Sequence, residues 1–414
     1  MALARYQGDA LHVENVSLSD IAERYQTPCF VYSKKTLTQA YEAYRDALTR
    51  RDALICYAVK ANPNLAILDL YARLGAGFDI VSGGELARVI AAGGDTQKVV
   101  FSGVGKSRDE IGLALKAKIK CFNVESATEL ERINQIAASM SLVAPVSLRV
   151  NPDVDAKTHP YISTGLKNSK FGVAYDDARP LYRRAARLKN IRICGIDCHI
   201  GSQLLDPAPA AQATQKIIAL VDQLLADGIA LEHVDIGGGM GIPYKDEPNI
   251  SVAEYLAPIL KELNGRKEKL LLEPGRSLVG NAGLLLTKVE LIKHGATKNF
   301  AVVNAAMNDL MRPALYDAWH DISPVKLRDE KQNQYEVVGP VCESGDFLGH
   351  DRTLAIREDD LLAIMSAGAY GMSMSSNYNS RPRAAEVMVD RDQTLLIRQR
   401  ENVADLFAGE HRLP

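Results

Sequence analysis

ICYAVKANPNLAILDLYARLGAGFDIVSGGELARVIAAGG, residues 55–94, holds two short β-rich runs, ICYAVKA (55–61) and FDIVS (78–82), each followed by a helical pattern. The alternation continues. VVFSG (99–103), KCFNV (120–124), PVSLRVN (145–151), IRICGIDCHIG (191–201), EHVDIGGG (232–239) and KLLLEPG (269–275) complete eight such runs. The first four recur about every 21 residues, the length of one tight βα unit. Ser107 with Glu110, and Ser126 with Glu129, predict capping boxes at two helix starts. Eight units with largely apolar strands predict a parallel (β/α)8 TIM-like barrel spanning 31–280 rather than an open sheet.

In such a barrel the chemistry gathers where the strands end at their C-terminal face. Polar residues stand at those ends here: Lys60 on the first run, Ser82 on the second, Arg149 and Asn151 on the fifth, His199 on the sixth. Gly237-Gly238-Gly239 closes the seventh, and Glu273 through Arg276 the eighth. After residue 280 the pattern changes to β-runs without helices of comparable length between them, such as AGLLLTKVELIKH (282–294), QYEVVGPV (334–341) and TLLIRQR (394–400). Residues 281–414, joined by 1–30, therefore predict a second, all-β domain of Greek-key or sandwich-like type. CFVYSKKTL (29–37) is read as the entry to the barrel.

Composition narrows the function classes. At 414 residues the chain exceeds what one core ordinarily supports. The 49 Lys and Arg residues balance 51 Asp and Glu, a formal charge of −2, which offers nucleic acid or an anionic membrane no electrostatic footing. The opening residues lack the apolar core of a secretion signal, and LLAIMSAGAYGM (361–372) is too short to span a bilayer. Six cysteines, at 29, 56, 121, 194, 198 and 342, form no Cys-x-x-Cys pair, so a reducing, cytoplasmic setting is expected. Cys194, Cys198 and His199 find no second ligand pair nearby in sequence, and no metal is expected.

Two strand ends carry specific chemistry. DIGGGMGIPY (235–244) leaves backbone N–H groups open to an anion where this architecture usually binds phosphate. LLLEPGRSLVG (270–280) ends a buried strand in Glu273, a carboxylate that must meet a cation or a donor. Lys60 needs a desolvated place to act as a nucleophile. A lysine nucleophile, a phosphate cradle and an acid for a heterocyclic nitrogen together describe a pyridoxal 5'-phosphate site.

YAVKAN, FDIVSGGEL, HIGSQ, GGGMGI, EPGR, CESGD and AGAYGMSMSSNYN occur in order along essentially the whole chain. In this the chain resembles the barrel-type pyridoxal-phosphate decarboxylases of diaminopimelate, ornithine and arginine. HPYISTGLKNSKFGV (159–173), NDLMRPALYDAWH (308–320) and GPVCESGDFLG (339–349) look like the diaminopimelate branch in particular. The resemblance implies decarboxylation of meso-2,6-diaminopimelate to L-lysine, with Lys60 bonded to the cofactor and His199 against its ring. It implies that Ser202, Gly238, Gly239 and the turn Glu273-Pro274-Gly275-Arg276 hold the cofactor, with Glu273 at the ring nitrogen and Tyr370 at the phosphate. Asp79 and Arg149 would orient Lys60 and the ring. Arg276, Arg312, Tyr316, Glu343 and Tyr370 would bind substrate, and Cys342, or water held near it, would supply a proton. Cys342 and Glu343 would come from a second copy, so a homodimer with shared active sites is implied. The rivals are an ornithine, lysine or arginine decarboxylase of the same fold, an amino-acid racemase, and a non-catalytic cofactor-binding regulator. A racemase would be expected to carry an arginine, not Glu273, at the ring nitrogen.

Overall fold

The structure, a computed structural model, describes residues 3–155 and 170–414, so most of the HPYISTGLKNSKFGV motif lies outside the described residues. The chain divides into two compact units: Tyr41–Ile242 with Pro248–Ser277, and Met1–Ala40 with Pro243–Glu247 and Leu278–Pro414.

The first unit is a closed parallel barrel. Its strands are Ala53–Ala58, Gly77–Ile80, Val99–Phe101, Cys121–Val124, Ala144–Asn151, Ile191–Asp197, His233–Asp235 and Lys269–Leu272. Each pairs in parallel with the next, and the eighth returns to the first through Leu270↔Ala53 to Leu272↔Ile55. All eight β-runs read from the sequence are present. The strands are apolar because each is covered by helices outside and by its neighbours inside. Cys56, Val100, Cys121, Cys194 and Leu271 form one buried cluster in the barrel. Cys194 thus lies beside Cys121 and His233, whose ligand atoms fall within 4.8 Å of one another, and not in a group with Cys198 and His199.

Local signals explain the helix starts, with one difference. Ser107 and Glu110 form the full reciprocal box ahead of Arg108–Lys116. Ser126 accepts from Glu129 N, but the Glu129 carboxylate turns to Glu125 N (2.8 Å) and buried Lys106 Nζ (2.7 Å). A buried ammonium outcompetes the weaker return bond to Ser126. Ser82 lies beyond its strand, as the N-cap of Gly83–Ala91, accepting from Glu85 N at 3.2 Å.

The second unit is β-rich. Its nine-stranded sheet runs along Phe347–Leu354, Asn333–Val338, Asn299–Val303, Gly283–His294, Cys29–Ser33, Ala385–Asp390 and Gln393–Arg398, with Leu361–Ile364 and Ile322–Pro324 branching from Gly283–His294. Two pairings are parallel, Asn299–Val303 with Asn333–Val338 and Cys29–Ser33 with Ala385–Asp390. Cys29–Ser33 corrects the sequence reading. It does not open the barrel; it pairs antiparallel with Gly283–His294 and sits buried at every residue inside this sheet. A small antiparallel sheet, Ala4–Gln7, Ala10–Val13 and Val16–Ser17, leads into helix Leu18–Tyr25.

Candidate active site

Lys60 stands in the single 3-10 turn Val59–Ala61 that follows the first barrel strand, two residues past the last strand residue. The turn tips its side chain over the barrel end, where Nζ donates to Asp79 Oδ2. Asp79 comes from the second strand and is fully buried, while the Lys60 side chain stays 40% exposed. A buried carboxylate thus tethers an ammonium whose head still reaches the mouth.

Glu273 lies just past the eighth strand and is buried. Its Oε1 accepts from Asn123 Nδ2 (3.2 Å), within the fourth strand, and from Ser102 Oγ (3.4 Å), just past the third. Burial first, then repulsion from Asp235, Asp79 and Asp197, pushes the Glu273 carboxyl well above the usual carboxylate range, while Lys60 pulls the other way. Asp235, similarly buried beside Asp197, is raised too. Burial pushes Asp197 up to about 7, against the pull of Arg149.

Arg149 answers part of this acidity. Burial works against its charge, but Asp197 and Glu125 hold it charged, with N–O separations of 3.9 and 3.5 Å. Its guanidinium lies 4.9 Å from the Phe171 ring centre. Among the described residues, Asp79 Oδ1, both Asp197 oxygens, Asp235 Oδ2 and Arg149 Nε are buried without a hydrogen-bond partner. Such a set is costly unless a ligand supplies charge and donors.

His199 follows the sixth strand, which ends at Asp197. Burial, aided by Arg149 and Lys60, drives its pKa well below the usual 6.5, so the ring is neutral. Gly238 N donates to its Nδ1 at 3.3 Å, which leaves the ring proton on Nε2. Leu204 N donates to Gly239 O at 2.8 Å, holding this loop to the glycine turn, and Glu273 N donates to Gly237 O at 2.8 Å, holding the turn to the end of the eighth strand. Gly239 has φ +95°, and a Cβ on Gly238 would run into the Glu273 carbonyl. Only glycine fits this turn. Ser202 lies on the His199 loop, and Pro274 O accepts from Ala58 N at 3.0 Å, tying the Glu273–Arg276 turn to the base of the Lys60 turn. Arg276 opens the short helix Arg276–Val279 and is 8% exposed.

A family model for the pyridoxal binding domain of pyridoxal-dependent decarboxylases matches residues 34–280. The chain is 56% identical over 409 residues to a diaminopimelate decarboxylase of Pseudomonas aeruginosa, covering 99% of each chain. It is 58% identical over 400 residues to that of Neisseria meningitidis serogroup B, covering 97% of each. A solved structure of diaminopimelate decarboxylase from Helicobacter pylori complexed with L-lysine aligns with a TM-score of 0.92 at 43% identity, over 95% of this chain and 99% of that one.

The chain belongs to the pyridoxal-dependent decarboxylase family. Its cofactor is pyridoxal 5'-phosphate. The barrel suits that group chemically. Lys60 offers the amine, and the crowded carboxylates favour a ligand bearing a cationic nitrogen.

The second unit carries the decarboxylase's other sequence-predicted residues. Arg312 and Tyr316 begin and end helix Arg312–Tyr316, with Arg312 7% exposed and Tyr316 half-buried. Tyr370 sits in a turn with φ 56°, a left-handed backbone that a bulky residue rarely adopts. Cys342 and Glu343 occupy an exposed turn. Asp346 folds that turn, accepting from Val341 N (2.8 Å) and Met307 N (2.7 Å), and Asn379 Oδ1 accepts from Cys342 N at 2.8 Å.

Sequence reading missed Ser102, Asn123, Glu125, Asp197 and Asp235. A signal for most of them exists. GFDI, CFNV, the GID that ends the sixth strand and HVD each carry one polar residue near the strand end, at Asp79, Asn123, Asp197 and Asp235.

Proposed function

We propose that this chain decarboxylates meso-2,6-diaminopimelate to L-lysine and carbon dioxide. Full-length identity of 56–58% to diaminopimelate decarboxylases supports the substrate. One observation supports the reaction type: Glu273 is buried among three further buried carboxylates, Asp79, Asp197 and Asp235, and so offers an acid to a cationic ring nitrogen.

When bound, pyridoxal phosphate supplies a conjugated, protonated ring that accepts the electron pair left by the departing carboxylate. The protein's own groups prepare that loss. Asp79 holds Lys60 Nζ at the mouth, where the cofactor would reach it. Glu273, flanked by Asn123 and Ser102, offers its carboxyl to the ring nitrogen. Neutral His199 presents an uncharged face against which a ring can pack without electrostatic penalty. Gly238, Gly239, Ser202, the Glu273–Arg276 turn and Tyr370 take the phosphate end. Arg149 steadies the carboxylates beneath. Arg276, Arg312 and Tyr316 bind the substrate's distal carboxylate, and Glu343 its distal amine. Cys342 Sγ delivers the proton that replaces the lost carboxylate.

Cys342 and Glu343 reach the site from a second copy, so the active assembly is a homodimer; their exposure on a rigidly folded turn supports this. No helix among the described residues is long and apolar enough to cross a membrane, and the setting we infer is the cytoplasm. A related decarboxylase acting on ornithine, lysine or arginine would leave Arg312 without an anion. Carbon dioxide release from a panel of diamino acids, with added cofactor, tests the reading. Release from meso-diaminopimelate alone supports it, and preferred release from ornithine, lysine or arginine refutes it.

A further inference from the structure

Where the third and fourth barrel strands stop pairing, a lysine takes over from the ladder. Their parallel register runs through Val100↔Cys121 and Phe101↔Phe122 and ends there. The next residues along, Ser102 and Asn123, are the two whose side chains donate to Glu273 Oε1, and Asn123 Nδ2 also donates to Ser102 Oγ at 3.1 Å. Lys106 Nζ bridges these two strand ends. It donates to the Gly103 carbonyl at 2.8 Å and to the Asn123 carbonyl at 2.8 Å, and its remaining N–H meets Glu129 Oε1 at 2.7 Å. The side chain is fully buried, with Nζ 5.6 Å from the Phe101 ring centre. An ammonium has three N–H groups, so all three are committed to the protein. Gly103 is held from its other side too, its N donating to Glu125 Oε1 at 2.8 Å, while Ser102 N donates to Ile80 O at 2.8 Å.

A buried ion pair such as Lys106 with Glu129 stabilises a fold less well than two apolar side chains of similar size. What it supplies here is geometry, a fixed separation between two strand ends that the ladder no longer joins. That separation matters to Glu273. Donors aimed at its Oε1 favour the ionised carboxyl, against burial, which disfavours it. We propose that Lys106 is a positioning residue for Glu273: by bridging Gly103 and Asn123 it keeps the Ser102 hydroxyl and the Asn123 amide on the acid that faces the cofactor's ring nitrogen. The proposal rests on the role given to Glu273 above, and it extends the support of that acid from its two donors to the lysine behind them.

The test measures two things for the parent and each variant: the affinity of apoprotein for pyridoxal phosphate, and the steady-state kinetics of holoenzyme on meso-diaminopimelate. Lys106→Met removes the bridge and nearly keeps the volume. Combined with Glu129→Gln it leaves no carboxylate buried without its cation, and this double variant decides the matter if the methionine variant does not fold. Loss of the bridge should lower kcat about tenfold and weaken cofactor binding about tenfold, the worth of one hydrogen bond to a charged group. KM should stay within about threefold, because no substrate contact is touched. In a Ser102→Ala, Asn123→Ala background the same change should cost less than about twofold, because its effect passes through those two side chains; a lysine that only stabilised the fold would cost as much in both backgrounds. Parental kcat and affinity in the folded Lys106 variant, or an undiminished loss in the alanine background, overturns the proposal. Glu273→Gln at parental kcat and affinity overturns the role of Glu273, and the proposal with it. Wild-type protein that binds the cofactor but releases no carbon dioxide from meso-diaminopimelate overturns the proposed substrate instead, and the affinities then decide on Lys106.

Discussion

Lys60 Nζ donates to Asp79 Oδ2, joining the turn after the first barrel strand to the interior of the second. Asp79 is fully buried and fixed in its strand, so it anchors the partly exposed Lys60 side chain at one point. Asp79→Asn keeps the shape and removes the charge. We expect kcat/KM to fall at least about tenfold, as misoriented reacting groups lose their proximity advantage. The visible cofactor absorbance should persist. A kcat/KM within twofold of the parent would show that the tether has no part in turnover.

Glu85 makes stability depend on pH. Burial raises its pKa to about 7, against the pull of the Val81 N–H and of Lys60. The folded pKa lies above the unfolded value, so the folded protein binds the extra proton. The stability linked to this group is fully present below pH about 4.5 and is lost as pH rises through about 7. Glu85→Gln removes the penalty of ionisation. The variant should gain on the order of 3 kcal/mol over the parent at pH 8, at about 1.4 kcal/mol per pKa unit, and nothing near pH 4. Thermal melts across that range check the sign; equal melting temperatures at pH 8 would refute it.

Gly238→Ala tests the cradle. The added Cβ would occupy the space of the Glu273 carbonyl, so the turn or the eighth-strand end must shift. Displacing both the glycine turn and Glu273 should weaken cofactor binding at least about tenfold. Titration of apoprotein with pyridoxal phosphate reads this directly. Unchanged affinity would mean that the turn does not form the cradle.

The shared site predicts complementation. Lys60→Ala and Cys342→Ala should each be inactive alone. Random exchange of subunits places both intact groups at one site in half the dimers, so the mixture should recover about a quarter of parental activity. A mixture as inactive as its parts, with subunit exchange verified, would place Cys342 and Lys60 within one chain's site.

Much of this was legible beforehand, for identifiable reasons. Barrel strands are apolar on both faces and spaced by helices, so their series stands out whatever their exact ends. Lys60 and Glu273 stood out because charges that close apolar runs need partners. Cys29–Ser33 was misplaced for the complementary reason. A run buried at all five residues looks the same at a barrel's entrance as inside a mixed sheet, and only its partners, Gly283–His294 and Ala385–Asp390, decide. Asn123, Asp197 and Asp235 escaped notice because a single polar residue in a short strand points inward or outward with equal ease on paper. Their meaning appears only when the closed barrel sets Asp197 and Asp235 within 4.8 Å of Glu273. The return bond from Glu129 to Ser126 failed because Lys106, distant in sequence, takes the carboxylate.

The central claim is that Lys60 bears the cofactor. Holoenzyme reduced with borohydride, digested and examined by mass spectrometry should carry the pyridoxyl-phosphate mass on the peptide containing Lys60. A label on another lysine, or an unmodified Lys60 peptide from fully loaded enzyme, would contradict the account.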